Sequence, residues 1–175
     1  WALEKGAETL SRALPPLHHI AAPDEAIPGW NLLDLGMPEP ADFRLCQVQS
    51  ACGDHAVQAV EWAAKPCLNG ELAAMVTAPI NKEAIHTAGY VNDIGHQEIL
   101  ARLAGVSQTA TMLMTPGLRV VHLSTHKSLA KAVEFVTAAQ VLGKLHLIHD
   151  TLTQWGLAQP RIAVAALNPH GGCLL

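Results

Sequence analysis

The sequence predicts an α/β fold with a mainly parallel sheet, and three observations lead to this prediction. Short apolar runs containing β-branched residues alternate along the chain with segments whose apolar residues recur at helical spacing. Three predicted strands end in polar turns with the sequences TAPINK, STHK and NPHGG. Hydrophobic residues make up 50% of the chain and aromatic residues only 4%, so aliphatic side chains would fill the core. Repeated strand-turn-helix units favour parallel strands covered by helices.

The composition argues against two classes of partner. The formal net charge is −4 and the sequence has no cluster of Lys and Arg, so we expect no nucleic-acid partner. The apolar stretches are interrupted well before the roughly 20 residues that a membrane helix needs, so we expect no membrane partner. The four cysteines show no CxxC spacing. Reduced thiols in a cytoplasmic protein are therefore expected.

The N-terminal part of the chain is predicted to contain two helices separated by loops and short strands. The helical spacing of Leu3, Ala7, Leu10 and Leu14 predicts a first helix over Trp1–Leu14, which two prolines end. The segment 17–40 is rich in Pro, Gly and acidic residues, which favours loops with short strands. Weak alternation predicts a strand over Phe43–Val48, and helical spacing predicts a helix over Gly53–Asn69.

The stretch from Leu72 to His96 is the clearest strand-turn-helix unit. An apolar run predicts a buried strand over Leu72–Val76, and Asn81 stands where a helix N-cap belongs. Ligands of open α/β sheets lie at the carboxyl ends of strands. The polar residues Thr77, Asn81 and Lys82 are therefore candidate site residues by position.

A second helix start follows within this stretch. Gly95 and His96 precede apolar residues at helical spacing, and Gly105 lies beyond the predicted helix end. The free N–H groups of a helix N-terminus favour anions, so His96 could help to hold a phosphate or a carboxylate. A histidine that is merely exposed at a helix start is an equally good interpretation of the position alone.

The second half of the chain is predicted to begin with a hairpin. Two β-rich runs, Thr109–Met114 and Leu118–Ser124, flank Pro116-Gly117, and another helix starts near Ser128. The longest helical pattern predicts a single helix over Val133–Trp155.

The histidines suggest a metal site. A strand is predicted over Arg161–Leu167, and His170 follows its end as His126 follows the end of an earlier strand. Histidines at two neighbouring strand ends can converge, and imidazole is a common ligand of Zn²⁺. Two ligands are too few for a tight site, so a third must come from further sequence or from a second subunit. The pair His146 and His149 is three residues apart, which favours a solvated helix face instead.

Five motifs in register resemble a known family. TAPINKEAI, AG, GHQEIL, LRVVHLSTH and LNPHGG resemble, in order and spacing, the central part of 4-hydroxythreonine-4-phosphate dehydrogenases and of their relatives that act on four-carbon sugar-acid phosphates. The resemblance spans most of the chain and is strongest from Asn69 to Gly172. It implies a three-layer α/β/α fold like the isocitrate and isopropylmalate dehydrogenases, of which residues 1–175 would be a part.

The resemblance also implies a reaction and its cofactors. The enzyme would be a homodimer with a shared site that oxidises a phosphorylated hydroxy acid with NAD and releases CO₂ from the resulting β-keto acid. The substrate would be 4-phosphohydroxy-L-threonine, in pyridoxal phosphate biosynthesis, or a threonate or erythronate 4-phosphate. A divalent metal, Zn²⁺ or alternatively Mg²⁺ or Co²⁺, would polarise the hydroxyl.

The resemblance assigns roles to five residues of this sequence. His126 and His170 match two of three histidine ligands to the metal. His96 matches a substrate-binding position, and Gln97 beside it replaces the family's usual Thr, which changes the reach of the side chain. Lys82 would supply positive charge near the anionic groups of the substrate.

The same resemblance implies that this chain is not a complete enzyme. The family's opening motif, its third metal ligand and its NAD-binding residues have no match in the sequence, so we expect 1–175 alone to be inactive. Two alternatives stay open at this point. One is a dihydrodiol dehydrogenase of the same superfamily, and the other is a truncated, non-catalytic dimerisation or ligand-binding module.

Overall fold

The computed structural model describes residues 1–93, 95–125 and 127–168. The chain divides into two compact units, Trp1–Ser107 and Gln108–Leu175, which we call unit 1 and unit 2. The helices of unit 1 are α1 (Ala2–Thr9), α2 (Ser50–Leu68), α3 (Lys82–Thr87) and α4 (His96–Ala104), and its strands are β1 (His18–Ile20) and β2 (Asn31–Leu33), with a 3-10 turn over Pro23–Glu25 between them. Unit 2 contains β3 (Met112–Thr115), β4 (Leu118–Val121), α5 (Leu129–Phe135) and α6 (Ala138–Gln154).

The core of unit 1 lies where α3 and α4 pack on α2. Val57 and Val60 of α2 contact Ile85 of α3 and Ile99 of α4, and three of these four side chains are completely buried. Five partly buried apolar residues surround this cluster: Met75, Ile80, Tyr90, Leu100 and Leu103. This packing stabilises α3, which at six residues is too short to be stable as an isolated helix.

Gly53 allows α2 and α3 to approach closely. A Cβ atom built on Gly53 would lie 2.2 Å from the carbonyl oxygen of Ala84 and 2.6 Å from the amide nitrogen of Ile85. Real Cβ atoms do not come so near to backbone atoms, so any larger residue would push the two helices apart. Glycine is therefore required here by space.

The predicted start of α3 and the predicted C-terminal end of α4 are confirmed. The Oδ1 of Asn81 accepts a hydrogen bond from the N–H of Ala84 at 2.9 Å, which is the N-cap interaction expected from the sequence. Gly105 ends α4 in the left-handed conformation with φ of +65°.

The predicted helix over Trp1–Leu14 is shorter in the structure. It ends at Thr9, and Ser11 has a φ of +49°, which no right-handed helix contains. Leu10 is 70% exposed, so the apolar side chains beyond Thr9 are not buried and do not stabilise a longer helix. A short helix without tertiary packing is marginal in water.

In the described residues of unit 1, strands are formed where two segments pair. β1 and β2 are parallel, with His19 opposite Leu32, as expected for short strands within 17–40. The predictions of strands over Phe43–Val48 and Leu72–Val76 are wrong for the described chain, since both segments are irregular. A strand needs a neighbour for its backbone N–H and C=O groups. Neither segment has one among the described residues.

Unit 2 begins with the predicted hairpin. β3 and β4 pair in an antiparallel register with Met112 opposite Val121 and Thr115 opposite Leu118. Gly117 in the turn has a φ of +80°, which only glycine adopts readily.

The single helix predicted over Val133–Trp155 is two helices in the structure. α5 ends at Phe135, and the hydroxyl of Thr137 accepts a hydrogen bond from the N–H of Gln140 at the start of α6. The helix is interrupted because Val136 and Thr137 are extended, and the Thr137 side chain caps the start of the next helix. α6 then runs to Gln154, and Gly156 follows it with a φ of +92°.

The predicted strand over Arg161–Leu167 is not formed in the structure. This segment is irregular and lines a cavity of about 490 Å³ together with β4, α5 and α6. Its side chains are largely exposed, with Val164 at 62% and Leu167 at 60%. As in unit 1, the segment has no strand neighbour in the part of the chain that the structure describes.

The sequence also predicted that no helix spans a membrane and that the cysteines are reduced. In the described residues, no helix combines the length and the apolar character needed to cross a membrane. Cys46, Cys52 and Cys67 are free thiols. Burial, and secondarily the charge of Asp42, raises the pKa of the Cys52 thiol.

Candidate functional site

The candidate site lies in unit 1 at the start of α4. Gly95 is its N-cap, in extended conformation, and offers no side chain to the first amides of the helix. Those first N–H groups have no carbonyl partner within a helix, and the helix dipole adds partial positive charge there. The position therefore favours an anionic group.

Lys82 lies against this helix start. A Cβ atom built on Gly95 would be 3.7 Å from Cε of Lys82 and 3.7 Å from Oε2 of Glu98. The stem of Lys82 therefore passes over Gly95 in space, although thirteen positions of sequence separate them. The structure thus brings Lys82, predicted from the first polar turn, next to the residue that precedes His96.

The imidazole of His96 has capacity for a ligand. Its Nε2 is buried and has no hydrogen-bond partner among the described residues. A buried polar nitrogen without a partner is costly, so Nε2 of His96 is a candidate for a hydrogen bond to a bound ligand or a water. Gln97, the next residue, has an exposed side chain at the same helix start.

A small cleft adjoins Lys82. Its volume is about 260 Å³, and it is lined by Lys82, Glu83, His86, Tyr90, Val91 and Asp93. The cleft therefore extends from α3 to the loop that precedes α4. It contains both charge signs, with Glu83 and Asp93 as its acidic residues.

Asp93 is the acidic residue of that loop and is paired. Its side chain is only 7% exposed, and its Oδ2 accepts a hydrogen bond from an Arg102 Nη at 2.6 Å. Nε of Arg102 lies 3.3 Å from Oδ1. The hydrogen bonds to Asp93 and then to Glu61 raise the pKa of the Arg102 guanidinium, so it stays charged and neutralises Asp93.

A second hydrogen bond ties the same loop to α2. The hydroxyl of Tyr90 donates to Oδ1 of Asp54 at 2.8 Å. This hydrogen bond, helped by partial burial, raises the pKa of Tyr90 to about 12. Tyr90 is therefore a neutral donor at ordinary pH.

The other polar residues of the opening turn do not contact this site. The side-chain oxygen of Asn81 is engaged in capping α3. Thr77 is exposed and lines an apolar groove with residues of α2 and of the segment 75–80. The sequence placed Thr77, Asn81 and Lys82 alike at the end of a predicted strand. In the structure, Lys82 is the one of these three that contacts Gly95.

The predicted metal ligands His126 and His170 lie outside the described residues. Within the described ranges, no group of three His, Cys, Asp or Glu side chains could hold a metal ion. His146 and His149 are exposed on α6, as the three-residue spacing predicted.

Sequence reasoning missed the ionic network of Arg102 with Asp93 and Glu61. The three residues are separated by nine and by forty-one positions, distances at which no local pattern pairs charges. A weak signal was present, since Asp93 is an acidic residue in a loop flanked by apolar residues.

Comparison with solved structures identifies the fold. A 4-hydroxythreonine-4-phosphate dehydrogenase from Klebsiella pneumoniae matches 97% of this chain with a TM-score of 0.87 and 34% identity, and the match covers 52% of that protein. The corresponding protein from Burkholderia phymatum gives a TM-score of 0.78 at 33% identity. The predicted α/β fold class is thereby confirmed, with part of the fold present.

Sequence comparison identifies the family. The family model of the pyridoxal phosphate biosynthetic protein PdxA matches residues 3–173, so the chain belongs to this family. D-threonate 4-phosphate dehydrogenase from Salmonella typhimurium is 38% identical over 171 residues, which cover 98% of this chain and 48% of the relative. The enzyme of the same name from Pectobacterium atrosepticum is 37% identical over 142 residues. The chain spans about half the length of these relatives.

Proposed function

We propose that the protein containing this chain is a dehydrogenase of phosphorylated hydroxy acids, and that the start of α4 holds an anionic group of the substrate. The observation that carries the proposal is the contact of Lys82 with Gly95 beside the buried Nε2 of His96, which has no partner among the described residues. The relatives named for D-threonate 4-phosphate and for 4-hydroxythreonine-4-phosphate both act on small molecules that carry a phosphate.

The proposed binding follows from charge and hydrogen bonding. The ammonium of Lys82 would provide a positive charge, and the first amides of α4 would provide directed donors. Nε2 of His96 would donate to the anion when that nitrogen carries a proton. Gln97 would add an amide side chain at the rim, where the resembling family has a shorter hydroxyl side chain.

The proposed reaction is the oxidation of a secondary alcohol by NAD. A hydride would leave the carbinol carbon for the nicotinamide, the hydroxyl proton would go to a base, and the resulting β-keto acid would lose CO₂. Residues 1–175 would contribute the substrate-holding side of such a site. By binding the anionic end of the substrate, Lys82 and His96 would fix where the alcohol carbon lies.

A metal site is proposed on the resemblance of the motifs alone. His126 and His170 would each supply an imidazole ligand to a divalent ion such as Zn²⁺, Co²⁺ or Mg²⁺, and a third ligand would come from elsewhere in the assembly. Such an ion, when bound, would polarise the substrate hydroxyl. Zn²⁺ or Co²⁺ affinity should fall in His126→Ala and in His170→Ala, and unchanged affinity in both variants would contradict the assignment.

The reaction is tested by NADH formation in the complete gene product. We expect absorbance at the NADH band with at least one of 4-phosphohydroxy-L-threonine, D-threonate 4-phosphate and D-erythronate 4-phosphate. His96→Asn should raise the KM of the accepted substrate, since Asn keeps polarity but loses the Nε2 position. No turnover on any of the three substrates would contradict the proposed function.

The assembly is proposed to be a homodimer with a shared site, as the resemblance implies. Sedimentation of the complete gene product should give twice the mass of one chain. A monomer that turns over substrate would contradict the shared site while leaving the proposed reaction intact.

A further inference from the structure

The loop that leads into α4 is attached to α2 at two points. Tyr90 bonds to Asp54 near the beginning of the loop. Arg102 bonds to Asp93 near its end and, through an Nη atom, to Glu61 of α2 at 2.8 Å. One guanidinium thus joins three elements, namely α2, the loop and its own helix α4.

Arg102 can make this connection because of helix geometry and side-chain shape. Helical side chains lean toward the N-terminus of their helix, so Arg102 extends from the last turn of α4 back toward its start. The planar guanidinium presents several N–H donors in a fixed fork, which lets it bond to two carboxylates at once. The ammonium of a lysine has no such fork.

The attachment ends next to the candidate site. Asp93 is two positions before Gly95, the residue on which Lys82 packs. Asp93 also lines the cleft that contains Lys82. If Asp93 were unpaired, its carboxylate would attract the ammonium of Lys82 and repel an anionic substrate. Its engagement by Arg102 removes Asp93 as a competitor for Lys82.

We propose that Arg102 is a positioning residue of the substrate site. By holding Asp93 against α2, it sets the place of the helix start that carries His96. It also removes the Asp93 charge from competition for Lys82. This role rests on the proposed function, in that His96 and Lys82 are taken to bind substrate, whereas the attachment of the loop does not depend on it.

The test variant is Arg102→Lys, and the matched control is Ile99→Val on the same helix. The lysine variant retains the positive charge but loses the planar fork through which Nε and Nη of Arg102 contact both oxygens of Asp93. The control shortens a completely buried side chain of α4 and leaves the ionic network untouched. We expect both variants to lower the melting temperature, so thermal stability alone does not distinguish them.

The first measurement is independent of activity. Amide hydrogen exchange of Asp93, whose N–H bonds to the carbonyl of Tyr90, and the NMR signals of the His96 ring report on the loop and on the helix start. We expect faster exchange at Asp93 and shifted His96 ring signals in Arg102→Lys but not in Ile99→Val. If the two variants behave alike, the positioning role is contradicted, even in a protein that turns over none of the substrates tested.

The second measurement uses the accepted substrate in the complete gene product. Misplacement of a binding group weakens the binding of the substrate and of the transition state equally, which raises KM and leaves kcat nearly unchanged. We therefore expect KM in Arg102→Lys to rise by about tenfold with kcat changed less than about twofold. Faster exchange at Asp93 with a KM equal to that of Ile99→Val would overturn the proposal and leave a structural role. A wild-type protein without turnover would contradict the proposed function only.

Discussion

Unit 1 completes a hydrophobic core from its own helices, whereas unit 2 does not do so within its described residues. In unit 1, side chains from α2, α3 and α4 enclose one another, with Val57, Ile85 and Ile99 at 0% exposure. In the described part of unit 2, Leu152 is the buried apolar residue, and a cavity of about 490 Å³ remains between its elements. Packing among three helices is thus sufficient for a core in unit 1, whereas a strand needs a partner strand for its backbone groups.

This contrast predicts that core truncation has its largest effect in unit 1. Ile85→Ala removes a completely buried side chain from the cluster and should lower the free energy of unfolding by about 2–5 kcal/mol. Leu142→Ala on α6 removes a side chain that is 56% exposed and should cost much less. Urea unfolding monitored by circular dichroism measures both. Equal costs for the two variants would contradict the comparison.

Two helical glycines provide a second comparison. Gly53→Ala would place its Cβ atom 2.2 Å from a backbone oxygen and should destabilise by about 1–3 kcal/mol. Gly143→Ala on α6 meets no atom of the described residues within 4 Å outside its own helix backbone, and it should stabilise its helix by up to about 1 kcal/mol. Thermal denaturation should therefore shift in opposite directions. A gain in melting temperature for both variants would show that α2 and α3 are not in close contact.

The N-cap of α3 in unit 1 should also contribute more to stability than the N-cap of α5 in unit 2, although the difference is smaller. The cap bond of Asn81 is 2.9 Å long, whereas that of Ser128 at the start of α5 is 3.4 Å. Asn81→Ala should cost about 1 kcal/mol, and Ser128→Ala less, because a longer bond contributes less. Chemical denaturation of the two variants measures both free energies of unfolding. A larger loss of unfolding free energy in Ser128→Ala than in Asn81→Ala would contradict the prediction.

The smallest predicted effect is a pH dependence from Tyr90. Its pKa in the folded state is about 12, above the ordinary value of 10.0. A raised pKa means that the stabilisation is fully present below about pH 10 and is lost as the pH rises through about 12. The stability difference between wild type and Tyr90→Phe should therefore be constant from pH 7 to 9 and shrink above pH 10. A difference that grows with pH would contradict the hydrogen bond to Asp54.

The sequence predicted helix positions better than strand positions, for a physical reason. Caps are local, so Asn81 and Gly105 marked helix ends that the structure confirms. Strand formation depends on distant segments, so the apolar runs at 72–76 and 161–167 did not indicate whether a neighbour would be present. The break at Thr137 was missed because the apolar spacing continues through it.

The candidate site was predictable in part. Helix-start reasoning and the family motifs both pointed to His96, and the polar turn pointed to Lys82. The contact that joins them through Gly95 could not be predicted, because it depends on how α3 and α4 pack on α2. The same packing brings Arg102 to Asp93 and Glu61. Residues that act through tertiary contacts leave little trace in a single sequence.

The role of Lys82 in holding the anionic group of the substrate is tested by a binding measurement. Isothermal titration of D-threonate 4-phosphate into the complete gene product compares wild type with Lys82→Met, and with Lys131→Met, which removes an exposed lysine of α5, as the control. A charge-assisted contact predicts a dissociation constant raised about tenfold to a hundredfold in Lys82→Met and unchanged in Lys131→Met. Equal affinity in wild type and Lys82→Met would contradict the placement of the anionic group at the start of α4.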